Sequence, residues 1–366
     1  MAKRILILTV AYGEGHNAAA RGIRDGLAAM GGDAAVAEIH DVFAETYGFV
    51  NDWARKAYLT LINRSPRTWA RVYKWIDRQE DWTSRLSPFF QARSRLSELL
   101  LRFQPTAVVS VFPAYPAMME QILGGASRPF RSVVCITDSI TVNAIWFRCA
   151  ADLFLVPNEQ TAAVLARVGL PDDKVRVSGF PVSPRFAGLG ELRQIPVPGG
   201  ERRLLYMINA GGLTLPAIIR GLTNIAGARL KVTVGRDERL RKGVEAIRLE
   251  TGREFEIIGW TDQMPRLMSE SHLLIGKAGG ATVQETIAAK CPMIVSQVVP
   301  GQEEGNARLI EETRSGVFAA TATEIVDAVE QAFADDARLW REWSANISRL
   351  SRPRASLEIA ELLLTL

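Results

Sequence analysis

Three cysteines, Cys135, Cys149 and Cys291, are all that the 366 residues contain. An odd number set so far apart excludes a disulfide framework and fits a reducing compartment. Histidine is equally scarce, at three residues, and no Cys-x-x-Cys or His-x-x-x-His spacing occurs, so no metal site is expected. No apolar run approaches the ~18–20 residues needed to cross a bilayer. The opening stretch from Lys3 to Ala11 has the charge-then-apolar order of a signal peptide, but it is short and runs into a glycine-rich turn; it reads as a first buried strand. A strong charge bias is also missing: 44 basic against 40 acidic residues leave +4, which is compatible with an anionic partner and requires none. A composition of 48% hydrophobic and 23% charged residues argues against extended disorder, and the length argues for two domains.

What is present is a double series of strand-like apolar runs alternating with helix-length segments. The first comprises residues 5–10, 34–39, 107–111, 132–137 and 153–156; the second comprises 203–208, 230–234, 254–258, 272–275 and 293–296. Such alternation predicts two doubly wound α/β domains with parallel sheets and ligand sites at the carboxyl ends of the strands. The Pro- and Gly-rich stretch 186–200 reads as a linker. The expected division is therefore 1–185, the linker 186–200, a second domain over 201–340, and terminal helices over 341–366 that pack back on the first domain.

Two glycine turns carry chemistry. Lys277-Ala-Gly-Gly-Ala-Thr-Val-Gln-Glu285 follows a strand and opens a helix expected to run from Thr282 to Lys290, so a phosphate would meet exposed N–H groups and the positive end of a helix dipole. Pro300-Gly-Gln-Glu-Glu-Gly-Asn306 supplies Gln302, Glu303 and Asn306, side chains suited to sugar hydroxyls. Thr282-x-x-Glu285 is also a capping box, and Gln302 and Glu303 are also compatible with a solvated first helical turn. Near the amino end, Ala11-Tyr-Gly-Glu-Gly-His-Asn-Ala18 is formally a dinucleotide fingerprint, with Glu38 or Asp41 available for a ribose. Its distinguishing member is His16, an imidazole placed to take a proton near neutral pH; the alternative is that His16 and Asn17 only cap the helix.

Together these residues resemble the family of monogalactosyldiacylglycerol synthases and processive diacylglycerol glucosyltransferases, and more distantly the N-acetylglucosaminyltransferase of peptidoglycan precursor synthesis. The resemblance rests on Tyr12-Gly-Glu-Gly-His16, Ile136-Thr-Asp138 with Trp146, Val177-Ser-Gly-Phe-Pro-Val-Ser-Pro-Arg-Phe186, and the segment from Gly279 to Asn306. It implies a glycosyltransferase B fold, two Rossmann-like domains facing across a cleft, with a UDP-sugar donor on the second domain and a lipid acceptor on the first. It further implies His16 or Asp138 as the base. Asn209, Gly211, Gly212, Gly279, Gly280 and Thr282 would approach the diphosphate, and Gly13, Gly15 and Lys277 would also belong to the donor site. Gly259, Trp260 and Thr261 would lie near the uracil, Glu285 on the ribose, and Gln302, Glu303 and Asn306 on the sugar. Many members carry a histidine where this chain has Asn143, which can hydrogen-bond but cannot serve as a base.

The stretch from Asn51 to Arg102 is rich in tryptophan and arginine. On a helix, Trp69, Val72, Tyr73 and Ile76 share one face, and Arg67, Arg71, Lys74 and Arg78 the other, which suits either an anionic bilayer surface or a helix packed on its own sheet. With Asn143 and Trp146, residues Trp69, Arg71, Tyr73 and Lys74 form the expected acceptor and membrane side. No nucleic-acid motif accompanies the basic residues. The resulting expectation is an inverting hexosyltransferase that needs no cofactor, uses a UDP-sugar and a diacylglycerol-like acceptor, and works in the cytoplasm, peripheral on the inner face of the cell membrane. The alternatives are a UDP-sugar 2-epimerase and a non-catalytic UDP-sugar sensor.

Overall fold

The structure is a computed structural model that describes all residues except 1, 78–88, 125–126, 191, 194, 209–213 and 302; side chains at 33, 59, 62–64, 66–67, 70, 74 and 76–77 are likewise left undescribed. The chain divides into two units: Met1–Pro184 with Val299–Gly305 and Arg352–Leu366, and Arg185–Val298 with Asn306–Ser351.

In the first unit the elements are β1 (Lys3–Leu8), α1 (Glu14–Gly31), β2 (Ala35–His40), α2 (Val42–Tyr47), α3 (Phe49–Arg64), α4 (Pro66–Asp77), α5 (Phe90–Phe103), β3 (Ala107–Ser110), α6 (Ala114–Leu123), β4 (Arg131–Cys135), β5 (Leu153–Val156), α7 (Glu159–Arg167) and β6 (Val175–Val177). The strands form one parallel sheet in the order β2-β1-β3-β4-β5-β6. Ile5 to Leu8 and Val133 to Cys135 are buried on both faces, as near-continuous apolar strands under helices must be. The order reverses between β1 and β3, so the loops leaving those two strands, Thr9–Gly13 and Val111–Pro113, flank the crevice in which such folds bind ligands.

The second unit runs α8 (Arg185–Gly188), β7 (Arg202–Met207), α9 (Leu215–Asn224), β8 (Ala228–Gly235), α10 (Glu238–Thr251), β9 (Glu256–Gly259), α11 (Met264–Glu270), β10 (Leu273–Lys277), α12 (Gly280–Ala288), β11 (Met293–Gln297), α13 (Glu304–Glu312), β12 (Gly316–Phe318) and α14 (Ala322–Leu350). Its sheet order, β12-β11-β10-β7-β8-β9, places the switch point between β7 and β10. On α9, Leu215, Ile218, Ile219 and Leu222 recur at helical spacing and are buried in the core. A capping box starts α14: Thr321 accepts from Glu324 N–H while the Glu324 carboxylate accepts from Thr321 N–H.

Two stretches differ from their expected bounds. The stretch read as the linker, 186–200, groups with the second unit, where the Arg193 guanidinium donates to the carbonyls of Ser269, Met268, Ala289 and Lys290 at the carboxyl ends of α11 and α12. Of the terminal block 341–366, residues up to Ser351 belong to the second unit. The rest, including α15 (Ala355–Thr365), belongs to the first, where α15 packs on α1.

That packing depends on glycine. A Cβ on Gly26 of α1 would lie 2.3 Å from the Ser356 carbonyl oxygen, a backbone atom that cannot swing aside. Gly26→Leu is therefore expected to lower stability by about 1–3 kcal/mol through overpacking, although leucine is the better helix former. Gly243 on α10 faces open space, so Gly243→Ala is expected to gain about 0.4–1 kcal/mol. Urea midpoints of the two variants should move in opposite directions; a shared direction would refute the close-approach argument.

Candidate active site

The turn after β1 is held open from behind. The Asp41 carboxylate accepts from Ala11 N–H at 2.8 Å and from Ala44 N–H at 2.9 Å, so it fixes the glycine turn and caps α2 at once. Glu38 pairs with His40 at 2.9 Å. Both acidic residues that a dinucleotide ribose would need are thus committed elsewhere. Gly13 is the N-cap of α1, exposed and without a side-chain cap bond, and Gly15 lies in the first turn. The capping reading of His16 and Asn17 does not hold: both lie inside α1, and the Asn17 side-chain oxygen accepts from Thr9 Oγ1 at 3.0 Å.

His16 is instead enclosed by the segment that follows β4. Its Nδ1 lies 3.2 Å from Thr137 Oγ1, and its ring meets Phe112 edge-on at 5.4 Å and Trp146 at 5.9 Å between centroids. Loss of water from the ring lowers its pKa to about 4, opposed in part by a hydrogen bond to the Val111 backbone, so the imidazole is neutral at ordinary pH. Beside it, Trp146 Nε1 donates to Asp138 Oδ2 at 2.8 Å. Burial raises the Asp138 pKa to about 6, against the Trp146 hydrogen bond that lowers it, with the Glu303 charge adding to the rise. Thr137 and Phe112 escaped the sequence reading as site residues; Thr137 was within the Thr-Asp motif that signals this segment.

Asn143, the residue out of pattern, is buried and works for the backbone. Its Oδ1 accepts from Ile145 N–H at 3.2 Å, capping the short 3-10 turn Ala144–Trp146 that presents the indole to His16 and Asp138. On α4, Trp69 and Tyr73 are half-buried and in contact at 6.1 Å, Arg71 is exposed, and the Lys74 side chain lies outside the described residues. Tyr12 of the glycine turn meets Tyr58 at 5.6 Å, and Tyr58 meets Trp69 at 5.0 Å, so α3 and α4 are tied to the turn by a row of rings.

In the second unit Lys277 ends β10, Gly279 is the N-cap of α12 in extended conformation, and Gly280 begins the helix two residues earlier than expected. Gly279 has no side chain with which to cap it. Thr282 therefore sits within the first turn rather than at the cap position, and the capping-box reading of Thr282 and Glu285 is overturned. The first N–H groups of any α-helix lack intrahelical partners, and those of α12 can therefore serve a ligand or water. Asn306 is buried and donates from Nδ2 to the Ala278 carbonyl at 3.1 Å, which steadies the turn between Lys277 and Gly279.

At the ends of β8 and β9, Trp260 is 63% exposed and carries the Arg236 guanidinium over its ring at 4.5 Å. Arg236 went unnoticed in the sequence, where it is one more arginine after a strand. Gly259 closes β9 and Thr261 follows Trp260, its hydroxyl accepting from Gln263 N–H at 3.0 Å. Asn209, Gly211, Gly212 and Gln302 lie outside the described residues. Glu303 is buried within Val299–Gly305, which groups with the first unit, and its carboxylate accepts from Val299 N–H at 2.9 Å. Among the described residues no group of three or more His, Cys, Asp or Glu could hold a metal ion.

Two doubly wound units, each with its ligand-facing turns at the carboxyl ends of parallel strands, define the glycosyltransferase B fold. Crystalline MurG of Acinetobacter baumannii shares it over 100% of both chains at a TM-score of 0.62 and 14% identity. A UDP-GlcNAc 2-epimerase from Neisseria meningitidis gives the same score, identity and coverage, so the fold alone does not separate transferase from isomerase. Sequence does. Residues 16–182 match the monogalactosyldiacylglycerol synthase domain, and residues 222–338 match the glycosyltransferase family 28 C-terminal domain. The processive diacylglycerol beta-glucosyltransferase of Bacillus subtilis is 24% identical over 365 residues, covering 98% of this chain and 94% of its own. The chain is a UDP-sugar-dependent glycosyltransferase, similar over nearly its whole length to monogalactosyldiacylglycerol synthases and processive diacylglycerol glucosyltransferases.

Proposed function

We propose that this enzyme moves a hexosyl unit from a UDP-sugar to a diacylglycerol-type lipid, with inversion and without a metal. The observation that carries it is the uncapped start of α12 at the switch point of the second sheet, a site made for a diphosphate. The acceptor hydroxyl attacks the anomeric carbon on the face opposite the diphosphate, the neutral His16 takes its proton, and the N–H groups of α12 stabilise the charge left on departing UDP. Asp138, held by Trp146, orients the acceptor or supports the proton transfer. Glu285 holds the ribose, and Glu303 reads the sugar. Incubation with UDP-glucose and UDP-galactose, with and without diacylglycerol, tests this: UDP release that depends on lipid, with a hexosyl lipid in the mass spectrum, is expected. Release that ignores lipid, or an epimerised donor, would refute it.

Glu285→Ala is expected to weaken UDP binding by roughly 10–100-fold, the value of a hydrogen bond to a charged acceptor, while UMP and UDP lose equally because the ribose is common to both. Calorimetric titration of both ligands reads this out, and unchanged affinity would leave Glu285 a helix residue only.

Peripheral attachment to an anionic membrane belongs to the same proposal. No helix among the described residues is long and apolar enough to cross a membrane. Phe49, Trp53 and Phe90 are 83%, 72% and 61% exposed, and Phe89 touches Phe43 and Tyr47, which brings Phe90 toward the start of α3. Aromatic side chains of this kind suit the headgroup level of a bilayer. The double change Phe49→Ala with Trp53→Ala is expected to reduce sedimentation with phosphatidylglycerol vesicles several-fold and to leave UDP binding intact.

A further inference from the structure

The loop carrying Glu303 is fastened to a strained turn that begins just after Asp138. Ile140 has φ +60, a left-handed conformation that a β-branched residue adopts only under constraint. The constraint is visible: Ile140 N–H donates to Thr161 Oγ1 at 3.1 Å, and Asn158 at the start of α7 donates from Nδ2 to Ser139 Oγ at 3.2 Å. Thr141 N–H turns back onto the Ser139 carbonyl at 2.6 Å. This turn faces the loop 299–305. Thr141 Oγ1 accepts from Gly305 N–H at 3.0 Å, and a Cβ on Gly305 would lie 1.9 Å from the Ser139 carbonyl oxygen. At the other end of the loop Gly301, with φ +85, would bring a Cβ to 3.2 Å from the Tyr73 ring. Between these two contacts Glu303 is bent onto Val299 N–H.

We propose that Thr141 and Gly305 are positioning residues for the transfer reaction: the strained turn 139–141 docks the loop 299–305 so that Glu303 is set in fixed relation to Asp138. Strain of this kind persists only where the surroundings enforce it, and here the enforced conformation sets the Thr141 hydroxyl against the Gly305 N–H. The inference rests on the reading of Glu303 as the residue that meets the donor's sugar. A docked loop recognises the sugar without touching uridine or diphosphate. Its loss should therefore separate affinity for the whole donor from affinity for UDP.

Thr141→Val removes the acceptor oxygen at nearly constant shape. It is expected to raise the KM for the better of UDP-glucose and UDP-galactose by about tenfold, the value of one hydrogen bond, with the Kd for UDP unchanged. Thr141→Ser should restore the wild-type KM, and Gly305→Ala, which forces the loop off the turn, should exceed Thr141→Val. Thr141→Val is expected to lower the thermal midpoint by no more than the loss of one hydrogen bond, so that the enzyme stays folded at the assay temperature. Glu303→Gln is run alongside. If it raises the donor KM while Thr141→Val does not, the docking proposal is wrong and the role of Glu303 stands. If neither variant changes the donor KM, the sugar reading itself fails and takes the proposal with it. A fall in UDP affinity equal to that for the UDP-sugar would also overturn the proposal, because the damage would then lie outside sugar recognition.

Discussion

Replacing His16 with alanine is expected to lower lipid-dependent turnover by roughly 10²–10⁴-fold, the range for a group that moves a proton in the transition state, with little change in UDP affinity. The expectation follows from enclosure. Thr137 at 3.2 Å and the rings of Phe112 and Trp146 hold the imidazole in one orientation and strip its water, which keeps it neutral and therefore able to accept a proton. A pKa of about 4 makes it a weak base in the resting enzyme. In the transfer the proton moves as the acceptor hydroxyl bonds to the anomeric carbon, and the hydroxyl becomes far more acidic as that bond forms, so a weak base suffices. Single-turnover kinetics with saturating donor provide the measurement. Turnover near wild type would remove His16 from the proton path.

Asp138→Asn is expected to cost on the order of 10²-fold in kcat/KM, the lower end of the same range, and to change the pH profile. Asparagine keeps the shape and an oxygen for the Trp146 N–H, and loses only the charge. An acid whose pKa is raised to about 6 loses its charge as pH falls through that value. The wild-type kcat/KM should therefore decline on the acid side near pH 6, and the variant should lack that limb and hold its reduced rate toward pH 4, where His16 protonates. An acid limb that survives in Asp138→Asn would assign it to another group. Unchanged activity would leave Asp138 as a hydrogen-bond acceptor for Trp146 and nothing more.

Much of the fold was legible because ten strands are short apolar runs between helix-length segments, and each of the ten is found within a few residues of its expected place. The strands that escaped, β6 and β12, have three residues each, too few for any periodicity to show. Of the site, the glycine turns and the Thr-Asp segment stood out because they interrupt a pattern. The start of α12 was misplaced because Thr282 has the chemistry of a cap, whereas the backbone begins its turn at Gly280 and dispenses with a side-chain cap. Partnerships between distant segments left no local trace. Arg193 holding the ends of two helices and Thr141 meeting Gly305 join residues up to 164 positions apart, and no short window of sequence contains both partners.

The packing of α15 on α1 also has a bearing on how the protein is made. The face of α1 that contains Gly26 is completed by residues 352–366, which leave the ribosome only after the whole of the second unit. The first unit of the chain is thus the last to be finished, and during synthesis its amino-terminal helix waits uncovered while the whole second unit, closed within residues 185–351 apart from the short loop 299–305, is translated. A fragment ending at residue 184 is consequently not a domain but a domain with one wall missing.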